Sequence, residues 1–219
     1  NDVAADVREI VAKCEAQTEL SVQEISRLFE SRGNDYAYIT QAANELRKQT
    51  NGDVVSYVVN RNINYTNVCN VYCKFCAFWR SEKAADAYVI THDEIDQKIE
   101  ETLALNGTQI LMQGGHHPKL TKQWYLDLLS HIREKFPTIN IHGFSPSEFV
   151  HFQKVFDEPM EDLIRDFHAA GLGSIPGGGG EILVDRVRQK ISKLKAMSDE
   201  WLEVMAIAHR LGLSTTATM

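Results

Sequence analysis

Three cysteines fall within one short run: Thr66-Asn67-Val68-Cys69-Asn70-Val71-Tyr72-Cys73-Lys74-Phe75-Cys76. The C-x3-C-x2-C spacing lets a single loop wrap a metal centre with three thiolates. A structural zinc site takes four ligands, and the remaining cysteine, Cys14, is distant and sits in a helical stretch. Iron–sulfur cubanes usually take four cysteines too. Three therefore leave one iron open, and an open iron can bind a substrate or cofactor. Two plainer readings stand beside this one: a zinc site completed by a distant histidine, or three reduced core thiols. A disulfide framework suits a secreted chain, and residues 1–15 show no secretory signal.

Other residues with chemical potential follow predicted strands. Gly114-Gly115 closes one strand, and side-chain-free backbone there lets a ligand approach; the commoner meaning is a turn. Ser145-Pro146-Ser147-Glu148 follows another strand. It is either a helix cap with Glu148 at the third position, or a pair, Ser145 and Glu148, that touches ribose hydroxyls or substrate. Pro176-Gly177-Gly178-Gly179-Gly180-Glu181 lacks the Gly-Lys-Ser/Thr end of a phosphate loop. Glu181 and Arg188 are expected on one helix face, seven residues apart. They would grip an amino-acid zwitterion, with Arg188 on its carboxylate, or else form a surface ion pair. His116, His142 and Glu148 are the candidate proton acceptors; solvated loop is the alternative for His116 and its neighbour His117.

These residues need a scaffold that gathers them. Residues 1–52 read as a helical lead-in, with a capping box at Ser21–Glu24 and a second helix near 36–48. Residues 53–219 alternate strand and helix. The expected strands are 54–59, 62–66, 109–112, 139–144, 172–175 and 214–219. Helices are expected around Ile95–Leu103, Tyr125–Phe136, Leu163–Ala170 and Ser198–Leu211. Repeated β-α units predict a parallel α/β sheet, closing toward a barrel or doubly wound. The cysteines, Gly114-Gly115, Ser145–Glu148 and Gly177–Glu181 all follow strand C-termini, the face that carries chemistry in a parallel barrel. The 219 residues hold 43% hydrophobic and 24% charged types with a net charge of −7, a globular composition. No apolar run is long enough for a membrane span. The acidic balance without a basic stripe argues against nucleic acid.

With Phe75 preceding the last cysteine, C-x3-C-x-(aromatic)-C resembles the signature of the radical S-adenosylmethionine (radical SAM) family. The resemblance implies that Cys69, Cys73 and Cys76 hold a 4Fe–4S cluster whose fourth iron is chelated by S-adenosyl-L-methionine. It implies a 5′-deoxyadenosyl radical that takes a hydrogen atom from a small-molecule substrate. Phe75 would pack near the adenine, and Gly114-Gly115 would bind the methionyl amino group. It also implies reduced flavodoxin or ferredoxin as electron donor, and a cytoplasmic location.

The resemblance covers about residues 36–219. It includes Asn62–Val68, Ala77-Phe78, Gln113–Gly115, His142–Pro146 and Ser174–Gly179. These are similar to a subgroup containing the two radical enzymes of the futalosine route to menaquinone and the deazaflavin (F420 precursor) synthases. Glu181–Arg188, Met197–Met205 and Thr215–Met219 look most like the cyclic dehypoxanthine futalosine synthases. Those abstract the ribose C4′ hydrogen of dehypoxanthine futalosine and close a ring onto its benzoate. Aminofutalosine and deazaflavin synthases remain alternatives, as does a non-catalytic zinc-binding fragment. The family's barrel continues beyond the final Ala-Thr-Met, so a partial barrel, ending after about its fifth strand and lacking its C-terminal part, is expected.

Overall fold

The computed structural model describes residues 3–219. The chain divides into two compact units, Asn1–Tyr57 and Val58–Met219, a boundary slightly later than the one expected after residue 52.

The first unit is helical: α1 (Ala5–Glu15), α2 (Val22–Glu30) and α3 (Gly33–Asn51). Ser21 and Glu24 form the expected capping box, satisfying backbone N–H groups that the first turn of α2 leaves without helical partners. The expected strand at 54–59 is absent. Val54, Val55 and Tyr57 are exposed and carry no regular structure. Their β-branched and aromatic types favour a strand only where a neighbour accepts the pairing. Ladder pairing starts at Asn60, opposite Gln109, so the next strand also begins earlier than expected.

The second unit alternates strand and helix: β1 (Asn60–Asn64), α4 (His92–Ala104), β2 (Gln109–Gln113), α5 (Lys122–Lys135), β3 (Asn140–Gly143), α6 (Pro146–Phe156), α7 (Met160–Ala170), β4 (Ser174–Ile175), α8 (Asp185–Ile191), α9 (Ser198–Arg210) and β5 (Ser214–Thr215). All strand pairs are parallel and the sheet order is β1-β2-β3-β4-β5. A doubly wound sheet needs a reversal of strand order. The unbroken order is instead that of a (β/α) barrel wall.

Period-2 alternation sorts the side chains of β2. Ile110 and Met112 are fully buried in the core, while Gln109, Leu111 and Gln113 face a cavity. On β3, Ile141 joins the core and His142 faces the same cavity. Helices α4, α5, α6, α7 and α9 bury apolar stripes such as Ile95/Ile99 and Leu128/Leu129/Ile132 against the strands.

Candidate active site

The cysteine loop is fixed from several sides. The Asn67 side chain donates to Asp86 O (2.7 Å) and accepts from Tyr88 N (2.9 Å). Cys69 N donates to Arg80 O, Asn70 N to His116 O and Lys74 N to Ile191 O. Val68, Val71 and Cys73 are buried beneath it. The thiols of Cys69, Cys73 and Cys76 are free and line one cavity of about 920 Å³. Burial pushes the Cys73 thiol up, and the Lys195 ammonium draws it back. Among the described residues, no three His, Cys, Asp or Glu side chains converge on a single ion-sized point.

Gly114 and Gly115 are demanded by the protein's own packing. A Cβ on Gly115 would lie 2.2 Å from Val68 O and 2.9 Å from Cys69 Cβ, and one on Gly114 would enter the Tyr65 ring at 2.5 Å. The glycines therefore let the cysteine loop sit directly on the end of β2. Their N–H groups are taken, Gly114 by Glu148 Oε1 (3.0 Å) and Gly115 by Thr66 O (2.9 Å). Both glycines line the cavity.

Ser145 is the cap of α6. Its hydroxyl donates to Glu148 Oε2 (2.7 Å), and its backbone N–H donates to the same oxygen (2.7 Å). Glu148 Oε1 also accepts from Tyr65 Oη (2.8 Å). Burial raises the Glu148 pKa, while the Ser145, Tyr65 and Gly114 donors hold it back. Both carboxylate oxygens already accept two donors, which disfavours Glu148 as a mobile base. It ties β1, the end of β2 and α6 together at the cavity wall.

The expected Glu181–Arg188 grip is corrected. Glu181 lies in the loop before α8 at φ +38°, off the helix that carries Arg188. Arg188 is wholly buried, and its five N–H donors go to the carbonyls of Gly179, Gly180, Ile182 and Ala196. No donor remains for a ligand carboxylate. Arg188 pins the glycine loop from behind. Glu181 pairs with Lys195, Oε1 to Nζ at 2.7 Å, and its Oε2 lies 3.9 Å from Arg188 Nη1, so Glu181 and Arg188 form an ion pair, though not the ligand grip; Glu181 and Lys195 both line the cavity. Glu181 Oε2 is buried without a hydrogen-bond partner. Lys195 also lies 5.5 Å above the Phe75 ring, and Phe75 lines the cavity half-exposed.

His142 and His116 both line the cavity. His142 Nδ1 meets Ser174 Oγ at 2.7 Å and Nε2 lies 3.4 Å from Thr216 Oγ1. Burial lowers the pKa of His142 and drives that of His116 well below 6.5. His117 lies outside this set; its ring accepts from Lys119 N and Leu120 N in a turn. Lys195, Tyr65 and Gln113 escaped sequence reasoning as site residues. Lys195 reaches Glu181 across a 14-residue separation that no local periodicity marks. Tyr65 carried no such signal: it is fully buried in the core and reaches the site only through Glu148, while its neighbours Asn64 and Thr66 line the cavity.

Comparison with known proteins places this geometry. The radical SAM superfamily matches residues 63–219. A cyclic dehypoxanthine futalosine synthase of Halalkalibacterium halodurans is 40% identical over 201 residues, 91% of this chain and 54% of that one. A 5-amino-6-(D-ribitylamino)uracil–L-tyrosine 4-hydroxyphenyl transferase of Microcystis aeruginosa is 38% identical, covering 100% of this chain and 60% of that one. The chain thus spans about half the length of most curated relatives it matches. The crystal structure of HydG, a maturase of the [FeFe]-hydrogenase, superposes with TM-score 0.68 over 94% of this chain and 44% of that one, at 14% identity, a likeness of fold.

The superfamily uses a 4Fe–4S cluster and S-adenosylmethionine, and the residues present fit both. Three soft thiols line one cavity, and among the described residues no His, Cys, Asp or Glu group gathers into a closed ion site. Glu181, which lines the same cavity, keeps one buried carboxylate oxygen without a hydrogen-bond partner. By its cysteine loop, parallel β/α wall and matched sequence, this chain belongs to the radical SAM superfamily.

Proposed function

We propose that this chain is the radical core of an enzyme that cyclises dehypoxanthine futalosine to cyclic dehypoxanthine futalosine. The observation that carries the reading is the 40% identity with the Halalkalibacterium synthase across nearly the whole chain. The cavity supports it, because polar strand residues, Asn60, Asn64, Gln113 and His142, line it together with the thiols. Such a lining suits a hydroxylated, carboxylated substrate.

Cys69, Cys73 and Cys76 would hold the cluster. When bound, the cluster and S-adenosylmethionine supply a radical for hydrogen-atom abstraction. Glu181 and Lys195 present an acid and a cation side by side to the methionyl zwitterion, with the Gly114 and Gly115 carbonyls as further acceptors for its ammonium. Phe75 offers an apolar face to the adenine. Ser145 acts through Glu148, fixing Gly114 rather than touching the sugar. Closing the ring onto benzoate leaves an odd-electron ring that must shed one electron, which the oxidised cluster would take up, and one proton. His142 is the best-placed acceptor: burial lowers its pKa and so favours the neutral ring, Ser174 holds Nδ1, and Nε2 is only loosely engaged. His116 is neutral as well but deeper.

Anaerobic assay of the full-length protein with mass-spectrometric detection tests the reading. Dehypoxanthine futalosine should be consumed with 5′-deoxyadenosine formed, giving a product lighter by a pair of hydrogen atoms. The similarity to the Microcystis transferase favours a second reading. A protein that ignores this substrate and joins the 4-hydroxyphenyl group of tyrosine to the ribitylaminouracil would replace the first reading with the second.

A further inference from the structure

An imidazole accepts a proton only at the ring nitrogen that lacks one, and which nitrogen that is depends on the bond made by the other. On β3, Asn140 and His142 are two residues apart and share one face of the strand. Strand register gives each a partner. Gln109 on β2 stands opposite Asn140, and Ser174 on β4 stands opposite His142. The four side chains join into one run of bonds across three strands. Asn140 Nδ2 donates to Gln109 Oε1 (2.8 Å) and to Ser174 Oγ (3.1 Å), and Ser174 Oγ meets His142 Nδ1 at 2.7 Å.

Donor counting sets the direction of that run. The Asn140 amide nitrogen has two hydrogens and uses both. Ser174 Oγ therefore accepts from Asn140 and keeps a second lone pair for a ring N–H. Burial lowers the His142 pKa, and a bond to the Ser174 backbone raises it; a bond of that sign is one the ring donates. At the other nitrogen, Thr216 Oγ1 accepts from Gly177 N (2.9 Å), which leaves its own hydrogen for His142 Nε2, 3.4 Å away. Both ends of the ring agree on a proton at Nδ1 and a lone pair at Nε2. The place of Asn140 is built as well, because a Cβ on Gly173 would run into Asn140 Oδ1. His142 and Thr216 line the cavity, while Asn140 and Ser174 stand off its lining.

We infer that Ser174 and Asn140 are positioning residues that hold His142 as its Nδ1–H tautomer, so that Nε2 takes the proton released when the substrate's ring regains aromaticity. The inference rests on the cyclase reading. In that step the ring C–H bond breaks and its electron pair restores the aromatic ring. The proton goes to Nε2 and the odd electron to the oxidised cluster. The opposite tautomer would present an N–H to the cavity and could take no proton there.

The test uses the full-length, anaerobically reconstituted protein with dehypoxanthine futalosine. The variants are Ser174→Ala, Asn140→Ala and Ser174→Thr, the last of which keeps the hydroxyl. Mass spectrometry reads cyclic product and 5′-deoxyadenosine separately, since hydrogen abstraction precedes the proton step. A second substrate sample is deuterated on its benzoate ring. In Ser174→Ala, cyclic product per deoxyadenosine should fall at least about tenfold with the substrate KM kept. A primary isotope effect from the ring deuterium, absent from wild type, should emerge with it. Asn140→Ala should show the same pair of changes to a smaller degree, and Ser174→Thr should restore the ratio. A wild-type ratio without an isotope effect in Ser174→Ala and Asn140→Ala overturns the inference and leaves the cyclase reading standing. Deoxyadenosine and product lost together, without the isotope effect, also overturn it, since that marks a merely structural residue. A wild type that forms no cyclic product overturns the cyclase reading, and the inference with it.

Discussion

Gly115 shows how one missing methyl group decides the site. The space for its Cβ is occupied by the carbonyl of Val68 and the side chain of Cys69. Gly115→Ala must therefore push the cysteine loop off β2. We expect iron incorporation after reconstitution to fall several-fold while far-UV circular dichroism stays near wild type. Retained iron at wild-type stoichiometry would show that the loop tolerates the shift. Arg188 is decided by its surroundings in the same way. Truncating it in Arg188→Met leaves four buried carbonyls without donors, a loss on the order of 3–5 kcal/mol, to be read as a shift in urea midpoint. A role in ligand binding alone would leave that midpoint unmoved. The cysteine spacing was legible in the sequence because the chemistry is local to one loop. The Arg188 role was not, because its partners come from a loop whose glycines carry no side-chain signal. Glu181 keeps ion-pair distance to Arg188 through Oε2, while its other oxygen takes Lys195, a partner from 14 residues away.

Capping boxes at Ser21/Glu24 and Ser145/Glu148 were readable in advance, and the structure adds one at Thr91/Glu94. Ser21/Glu24, Thr91/Glu94 and Ser145/Glu148 each exchange side-chain and backbone bonds across the first turn of a helix. Only the third is buried, and there the cap residue also serves the cavity wall. Ser145→Ala should cost about 1–2 kcal/mol and should loosen Glu148 from Gly114. The denaturation midpoint measures the first effect. The second appears as weaker S-adenosylmethionine binding, which Thr91→Ala, at an exposed cap, should not produce. The helices with clear apolar stripes, α4, α5, α7 and α9, were placed to within a few residues. The strand expected at Val54–Val59 failed because composition reports preference and says nothing of the neighbour that must pair. The short β4 and β5 are set by register with β3 rather than by their own composition.

Across the whole molecule, buried histidines link stability to pH. Burial lowers the pKa values of His116, His142 and His151 below 6.5, whereas unfolded imidazoles titrate near 6.5. Below about pH 6.5 the unfolded chain binds more protons than the folded one, so stability present above that pH is lost as pH falls. Glu148, with its pKa raised above 4.5, acts oppositely: the advantage of its neutral form is lost as pH rises from about 4.5. Urea midpoints should therefore drop between pH 7.5 and 5.5. The His116→Gln, His151→Gln double variant should show a smaller drop; an equal drop would place the acid sensitivity elsewhere.

The central claim is that the three thiols of one loop hold a cluster with an iron left for S-adenosylmethionine. Electron paramagnetic resonance of the anaerobically reconstituted, dithionite-reduced protein tests it most directly. Adding S-adenosylmethionine should change the g-values of the reduced cluster, and isotopic label in its amino and carboxylate groups should appear as hyperfine coupling to iron. A spectrum indifferent to S-adenosylmethionine, or a colourless protein carrying one zinc per chain, would contradict it.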